Sequence, residues 1–213
     1  MNPHSEIAAS RLSNPWAPPS FADGRSAAPD PLVFQKKFGN SNPVEIEIGC
    51  GKGKFLVDCA AENPARNYWG VDRVGKWMKI GVKKGEKRNL GNLVFLKTEI
   101  REFLRRVPPA SVKGFHIYFP DPWPKRRHRK RRLVTEAFLH LLNACLQPSG
   151  FVQLATDDAD YFGQMKAAAA GSGSWRITES VNRRLAYEAA KTNYELKYEA
   201  AGKPLYYLEL VKE

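Results

Sequence analysis

The sequence has no apolar run approaching the roughly 20 residues that a bilayer-spanning helix requires, which argues against an integral membrane protein. Its N-terminus lacks an apolar segment of the secretory kind, so no leader is expected. Cysteine is scarce. Cys50, Cys59 and Cys145 contain no C-x-x-C pair and, being three, cannot all be bridged. A reduced, cytoplasmic protein without a structural zinc or other metal is the simplest reading. Acid is in short supply as well: 34 Lys and Arg stand against 22 Asp and Glu, a formal net charge of +12. Such an excess points to a polyanionic partner, without separating RNA from DNA or anionic lipid. There is no internal repeat. What is present, 43% hydrophobic and 11% aromatic residues in 213, suffices for one globular domain with an appendage.

The appendage is residues 1 to about 34. Pro3, Pro15, Pro18, Pro19, Pro29 and Pro31 are spread among small polar residues there, which predicts a tail with little regular structure. Trp16 and Phe21 either dock it onto the domain or are two stray aromatics on a free tail.

From residue 35 to 213 the chain alternates between strand-like and helix-like segments. The strand-like segments are Val44–Ile48, Tyr68–Asp72, Leu93–Thr98, Val112–Phe119, Phe151–Thr156, Trp175–Ser180 and Tyr206–Lys212. The helical ones are Phe55 to Glu62, stopped by Asn63-Pro64, then Lys76 to Arg88 and a short helix ending before Pro108-Pro109. Leu133 to Leu146 and Asp157 to Ala170 follow, the latter capped by Asp157 or Asp158. Strand–helix alternation predicts an α/β fold with a mostly parallel sheet covered on both faces, its ligands at the carboxyl ends of the strands.

Glu47-Ile48-Gly49-Cys50-Gly51-Lys52-Gly53 joins the first strand to the first helix. The glycine spacing, with Lys54 where a dinucleotide fingerprint needs glycine, fits neither that fingerprint nor a nucleoside-triphosphate loop. Asp72 ends the second strand, 23 positions after Gly49, a spacing that suits a carboxylate on ribose hydroxyls. Glu99 follows the third strand, where it can face an adenine, and Asp121 follows the fourth. Each acid alone reads as an ordinary cap or a solvated loop residue. Together, Glu47, Asp72, Glu99 and Asp121 ring a crevice that repels phosphate and tolerates a cationic cofactor. S-adenosylmethionine has a ribose, an adenine, a positive sulfonium and no phosphate.

Pro120 to Arg132, PDPWPKRRHRKRR, holds seven Lys and Arg in its last eight positions. With Asp121 it carries +6, half of the formal charge. Charge runs are commonly solvated faces or targeting signals. This one starts on the acidic turn of a buried strand, which instead fits an arm for phosphates. Trp123 is either a stacking platform for a base or a core residue plugging the turn. Arg131 and Arg132 either belong to the arm or start the next helix. Lys83, Lys84, Lys87 and Arg88 read as a solvated helix face before they read as a second RNA patch.

From Val33 onward these residues resemble the bacterial tRNA (guanine-N7-)-methyltransferases. FGNSNPVEIEIGCGKGKF is similar to that family's entry strand and cofactor loop, and PDPWPKRRHRKRR to its most specific signature. Ala155-Thr156-Asp157, TNYELK at Thr192–Lys197 and GKPLY at Gly202–Tyr206 match later elements. The resemblance implies a Rossmann-like methyltransferase fold with the last strand antiparallel, S-adenosylmethionine as methyl donor, and tRNA as substrate at guanine 46 of the variable loop. Among site residues it implies Glu47, Gly49, Gly51, Gly53, Asp72, Glu99 and Asp121 for the cofactor, with Asp121 also catalytic. It implies Lys125, Asp157, Thr192, Asn193, Tyr194 and Glu195 for the substrate, no metal, and a monomer or homodimer. Asp72 and Glu99 depart from the family's usual Glu and Asp or Asn, keeping or adding charge while changing reach by one methylene.

Overall fold

The computed structural model describes residues 34–173 and 175–213. The expected tail therefore lies outside the described residues, Trp16 and Phe21 included. Phe34 does not belong to a tail: it opens a short helix α1 (Phe34–Phe38), is buried, and meets the Trp69 ring edge-on at 5.6 Å. The chain then alternates as expected through β1 (Val44–Ile48), α2 (Lys54–Glu62), β2 (Asn67–Asp72), α3 (Gly75–Lys87), β3 (Leu93–Lys97), α4 (Ile100–Leu104) and β4 (Val112–Tyr118). A 3-10 helix (Arg126–Arg131) leads into α5 (Glu136–Cys145), β5 (Leu146–Thr156), α6 (Ala159–Ser172), β6 (Trp175–Val181), α7 (Asn193–Ala200) and β7 (Tyr206–Lys212).

The seven strands form one sheet in the order β3-β2-β1-β4-β5-β7-β6. All pairings are parallel except those of β7, which runs antiparallel to both β5 and β6. Burial on both faces explains why β1 is buried at all five positions although it reads V-E-I-E-I. Val44, Ile46 and Ile48 join the core layer under α1, α4, α5 and α6. The opposite layer is built from α2, Met78 of α3, and residues of the segment 182–205. Glu45 and Glu47 alternate with those apolar residues and so face this second layer.

Two expected boundaries differ by three residues or more. The helix expected over Leu133 to Leu146 begins at Glu136, because the Thr135 hydroxyl accepts from the Phe138 amide at 3.2 Å and caps it there. Leu146 already belongs to β5: it pairs with Val112, and Phe151 with Gly114, so residues 147–150 bulge out opposite Lys113. The Phe151 ring packs where Gly114 has no side chain, 2.3 Å from the position a Cβ would take. Among the described residues no helix is long and apolar enough to cross a membrane.

Candidate active site

The carboxyl ends of β3, β2, β1 and β4 lie side by side, because those four strands are parallel neighbours. Glu47, Asp72, Glu99 and Asp121 thus gather along one edge of the sheet. A cavity of about 360 Å³ opens there, lined by Glu47, the Gly49–Lys52 turn, Phe55, Trp77, Tyr118 and the start of α7. Gly49, Gly51 and Gly53 have φ of 80°, 51° and 65°, the left-handed region open to glycine. A Cβ on Gly53 would also stand 2.5 Å from the Phe95 ring. Gly53 is the N-cap of α2 and brings no side-chain acceptor. The first amides of α2 are therefore left without a capping side chain beside the cavity.

The four acids hold different positions. Glu47 is buried on the cavity wall, and its Oε2 has no hydrogen-bond partner among the described residues. Burial pushes its pKa well above the usual carboxylate range. The Arg184 guanidinium opposes that rise, and Glu195 and Asp72 add to it. Asp72 is off the wall: its Oδ2 accepts from the Gly51 amide at 2.9 Å and its Oδ1 from Val74 at 2.8 Å. It pins the glycine loop to the start of α3. Glu99 is exposed and caps α4, with Oε2 accepting from the amides of Arg101 (2.7 Å) and Glu102 (3.2 Å).

Asp121 is exposed and makes no hydrogen bond or ion pair among the described residues. Its turn is bracketed by two non-glycine residues in the left-handed region, Phe119 at φ 53° and Trp123 at φ 45°. Strain of this kind persists only where the surroundings enforce it, and here they are identifiable. The Phe119 ring packs on Tyr194 and Tyr198 (6.1 and 5.5 Å). Arg132 donates from Nε to the Pro122 carbonyl at 2.7 Å, from Nη1 to Gln164 at 2.8 Å and from Nη2 to Asp160 at 2.7 Å. Arg132 is buried, so it is removed from the phosphate-binding arm expected over Lys125 to Arg132.

The rest of the arm is an exposed ledge. Arg129 pairs with Asp160 at 3.1 Å. The Arg131 guanidinium lies 4.9 Å from the Trp123 ring, and His128 meets that ring edge-on. Trp123 is thus half-buried beneath a cation and neither a core plug nor a bare platform. Lys125, Arg126, Arg127 and Lys130 are exposed and have no carboxylate partner among the described residues. Of the two expected caps of α6, Asp158 serves, accepting from the Tyr161 amide at 2.7 Å. Asp157 lies 3.4 Å from Lys203 Nζ.

Thr192, Asn193 and Tyr194 are on the same cavity wall as the glycine loop. Glu195 does not line it and is fully buried. Its carboxylate accepts from the Thr192 amide (2.7 Å), the Tyr207 hydroxyl (3.1 Å) and Arg184 Nη1 (2.6 and 2.7 Å). Thr192 and Glu195 form a reciprocal capping box. The T-x-x-E spacing is itself the sequence signature of that box, a signal outweighed by the family likeness.

Sequence reasoning missed the supports beneath this wall. Arg184, buried, stacks over Tyr118 (4.4 Å) and Phe55 (5.0 Å), both cavity residues. Tyr187, at φ 57°, donates to Glu45 at 2.5 and 2.6 Å, and Arg66 also pairs with Glu45. Glu45 bonds His116 Nε2 at 2.9 Å. His116 Nδ1 meets the Tyr118 hydroxyl at 2.8 Å, and that hydroxyl donates to Gln153 at 2.9 Å. A buried polar chain therefore runs from β1 through β4 to β5. Burial raises the Glu45 pKa, but His116, Tyr187 and Arg66 together hold it below the ordinary value; burial lowers that of His116. Among the described residues no group of three His, Cys, Asp or Glu is placed to hold a metal ion.

This strand order, the single reversed strand and the glycine loop after β1 define a Rossmann-like, class I methyltransferase fold. Solved structures agree on the fold. A 30S ribosomal A1408 methyltransferase from an uncultured bacterium superposes with a TM-score of 0.61 at 14% identity, over 84% of this chain and 92% of the other. A 16S rRNA methyltransferase gives 0.60 at 19% identity, over 84% and 93%. The family model described as a putative methyltransferase matches residues 41–208. Proteins named tRNA (guanine-N(7)-)-methyltransferase are similar over most of their length. That of Geobacter metallireducens is 36% identical over 85% of this chain and 88% of its own. That of Lactobacillus acidophilus is 30% identical over 93% and 96%. The chain belongs to the tRNA (guanine-N7-)-methyltransferase family.

Proposed function

We propose that this protein is a cytoplasmic tRNA (guanine(46)-N7)-methyltransferase dependent on S-adenosylmethionine, working as a monomer or homodimer. One observation carries the reading. A buried carboxylate, Glu47, lines a glycine-bounded cavity on the same sheet edge as a ledge of four cations, and among the described residues neither its Oε2 nor those cations have a partner. The residues fit this cofactor. An ammonium or sulfonium beside the Glu47 oxygen that has no partner among the described residues would oppose the burial that raises its pKa. Asp72, beside the loop, has the acceptor lone pairs for ribose hydroxyls, and Glu99 stands past β3 for the adenine. S-adenosylmethionine supplies the electrophilic methyl group.

Guanine N7 carries an available lone pair in the neutral base, so no general base is required to make the nucleophile. The protein's task is to select and position the base. Asp121, exposed on its strained turn and without a partner among the described residues, accepts from guanine N1–H and the exocyclic amine, a donor pair that adenine lacks. Lys125 and its neighbours on the ledge take the tRNA backbone. Asp157 and Thr192–Tyr194 meet the substrate near the cavity, with Glu195 holding that stretch from beneath.

Transfer of a labelled methyl group to unmodified tRNA, with the modified nucleoside and its position identified by mass spectrometry, tests the reading. The expected product is 7-methylguanosine at position 46, abolished in tRNA lacking that guanine. Label appearing only in ribosomal RNA, or in no RNA, overturns it. Asp121→Asn is expected to lower turnover by at least tenfold and to relax the preference for guanine; full turnover with intact preference refutes the role given to Asp121.

A further inference from the structure

The ledge leaves half of the excess charge unexplained, and α3 holds a second concentration of it. Lys76, Lys79, Lys83, Lys84 and Lys87 are exposed and have no carboxylate partner among the described residues. Glu86 is the helix's single acid. A solvated helix face ordinarily interleaves signs, and like charges three or four residues apart weaken a helix. Here Lys76/Lys79, Lys79/Lys83, Lys83/Lys87 and Lys84/Lys87 stand at those spacings. The first turn of α3 has no acid and carries Lys76, against the helix dipole. Lys84 and Lys87, in the last turn, match the dipole, but among the described residues no carboxylate offsets the run from Lys76 to Lys83.

At the cavity end of the same helix stands Trp77. It lines the cavity yet is 42% exposed, with Lys52 and Lys76 ammoniums 5.2 and 5.4 Å from its ring. An exposed indole between two cations is suited to a stacked base whose phosphates the lysines neutralise. Topology sets its place relative to the ledge. β1, whose loop forms the cavity wall, lies between β2 and β4. Helix α3 follows β2 and the ledge follows β4, so the two cationic surfaces flank the cavity.

We infer that α3 is a second tRNA-binding surface: Lys76, Lys79, Lys83 and Lys87 track the phosphate backbone and Trp77 stacks on a nucleobase at the cavity mouth. The inference rests on the tRNA reading above and extends the footprint to the other side of the site. Lys76, Lys79, Lys83 and Lys87 fall on one stripe, about 16 Å long at the α-helical rise. That length spans several phosphates of a strand.

The test compares Lys79→Ala/Lys83→Ala/Lys87→Ala with Arg126→Ala/Arg127→Ala/Lys130→Ala. Affinity for unmodified tRNA is measured from 50 to 300 mM salt, with S-adenosylmethionine binding followed by calorimetry. The α3 variant is expected to bind tRNA on the order of tenfold or more weakly near 100 mM salt, with the log–log salt slope smaller by about two to three. Cofactor affinity should stay unchanged, and the melting temperature unchanged or raised because repulsion has been removed. Undiminished tRNA affinity and an unchanged slope in the α3 variant, beside a weakened ledge variant, overturn the inference and leave the tRNA reading standing. Wild-type protein that fails to bind tRNA overturns both. Anionic phospholipid vesicles that bind the wild type but not the α3 variant, with tRNA binding equal in the two, would make α3 a membrane surface and the inference wrong.

Discussion

At the scale of single residues, the four acids of the site differ in burial and in hydrogen-bond partners. Glu47 is the costly one: buried, with one oxygen unpartnered and a pKa pushed well up by burial. An acid raised in the folded state imposes no penalty below its unfolded pKa. Above it, stability falls as pH rises through the folded value. Glu47→Gln is therefore expected to raise the melting temperature of the cofactor-free protein at pH 8 by a few degrees, and less at pH 5. The same change should weaken S-adenosylmethionine binding at least tenfold, since the ionised form is the one a cation favours. In the wild type, binding should release a proton, read as a calorimetric enthalpy that varies with the ionisation enthalpy of the buffer. A Gln variant no more stable than wild type at pH 8 would contradict the burial argument. Asp72 and Glu99 make no comparable sacrifice, because their oxygens already accept backbone amides.

At the scale of elements, Arg132 fastens three pieces that the sequence leaves far apart: the Asp121 turn, the 3-10 ledge and α6. Arg132→Ala removes three hydrogen bonds, all donated by the charged guanidinium, and leaves Asp160, half exposed, to Arg129 and water. The expected cost is about 2–4 kcal/mol in chemical denaturation, larger than a surface substitution because the guanidinium is buried. Turnover on tRNA should fall while S-adenosylmethionine affinity, measured on the folded fraction, changes little, since neither Arg132 nor Asp121 lines the cavity. Arg132→Lys should not restore turnover, because one ammonium cannot reach the Pro122 carbonyl, Gln164 and Asp160 in three directions. This role was hidden from the sequence. A charge run reads as one object, and nothing local says that its last member turns inward toward partners 28 and 32 positions on. The end of α2 was legible because Asn63-Pro64 stops it on the spot. Helix starts were not: α5 was placed three residues early, before its Thr135 cap, and at α6 the adjacent Asp157 and Asp158 left the cap open.

At the scale of the whole molecule, the strand–helix alternation and the glycine loop were legible because each rests on local chemistry: apolar alternation, a helix stop, left-handed turns. The buried polar chain was not, because in strands covered on both faces an isolated Glu or His reads as a solvent-facing position until the second layer of helices is known. That chain sets the protein's acid sensitivity. His116, fully buried, has its pKa lowered from the ordinary 6.5. As pH falls below about 6.5 the unfolded chain takes up a proton that the folded protein refuses, and stability declines. Glu45, its partner, is held below the ordinary 4.5, so its contribution is present above that value and is lost as pH falls through the folded one. The two groups act in the same direction, His116 first. Glu47, with its raised pKa, acts oppositely over the upper window, so the two drops, one beginning near pH 6.5 and one below pH 4.5, should be read by urea unfolding of the Glu47→Gln protein. His116→Gln should be less stable than wild type at pH 8, where it breaks the bonds to Glu45 and Tyr118, yet lose less between pH 7 and 5. A variant that keeps the full wild-type slope across that window would show that the first step belongs to another group.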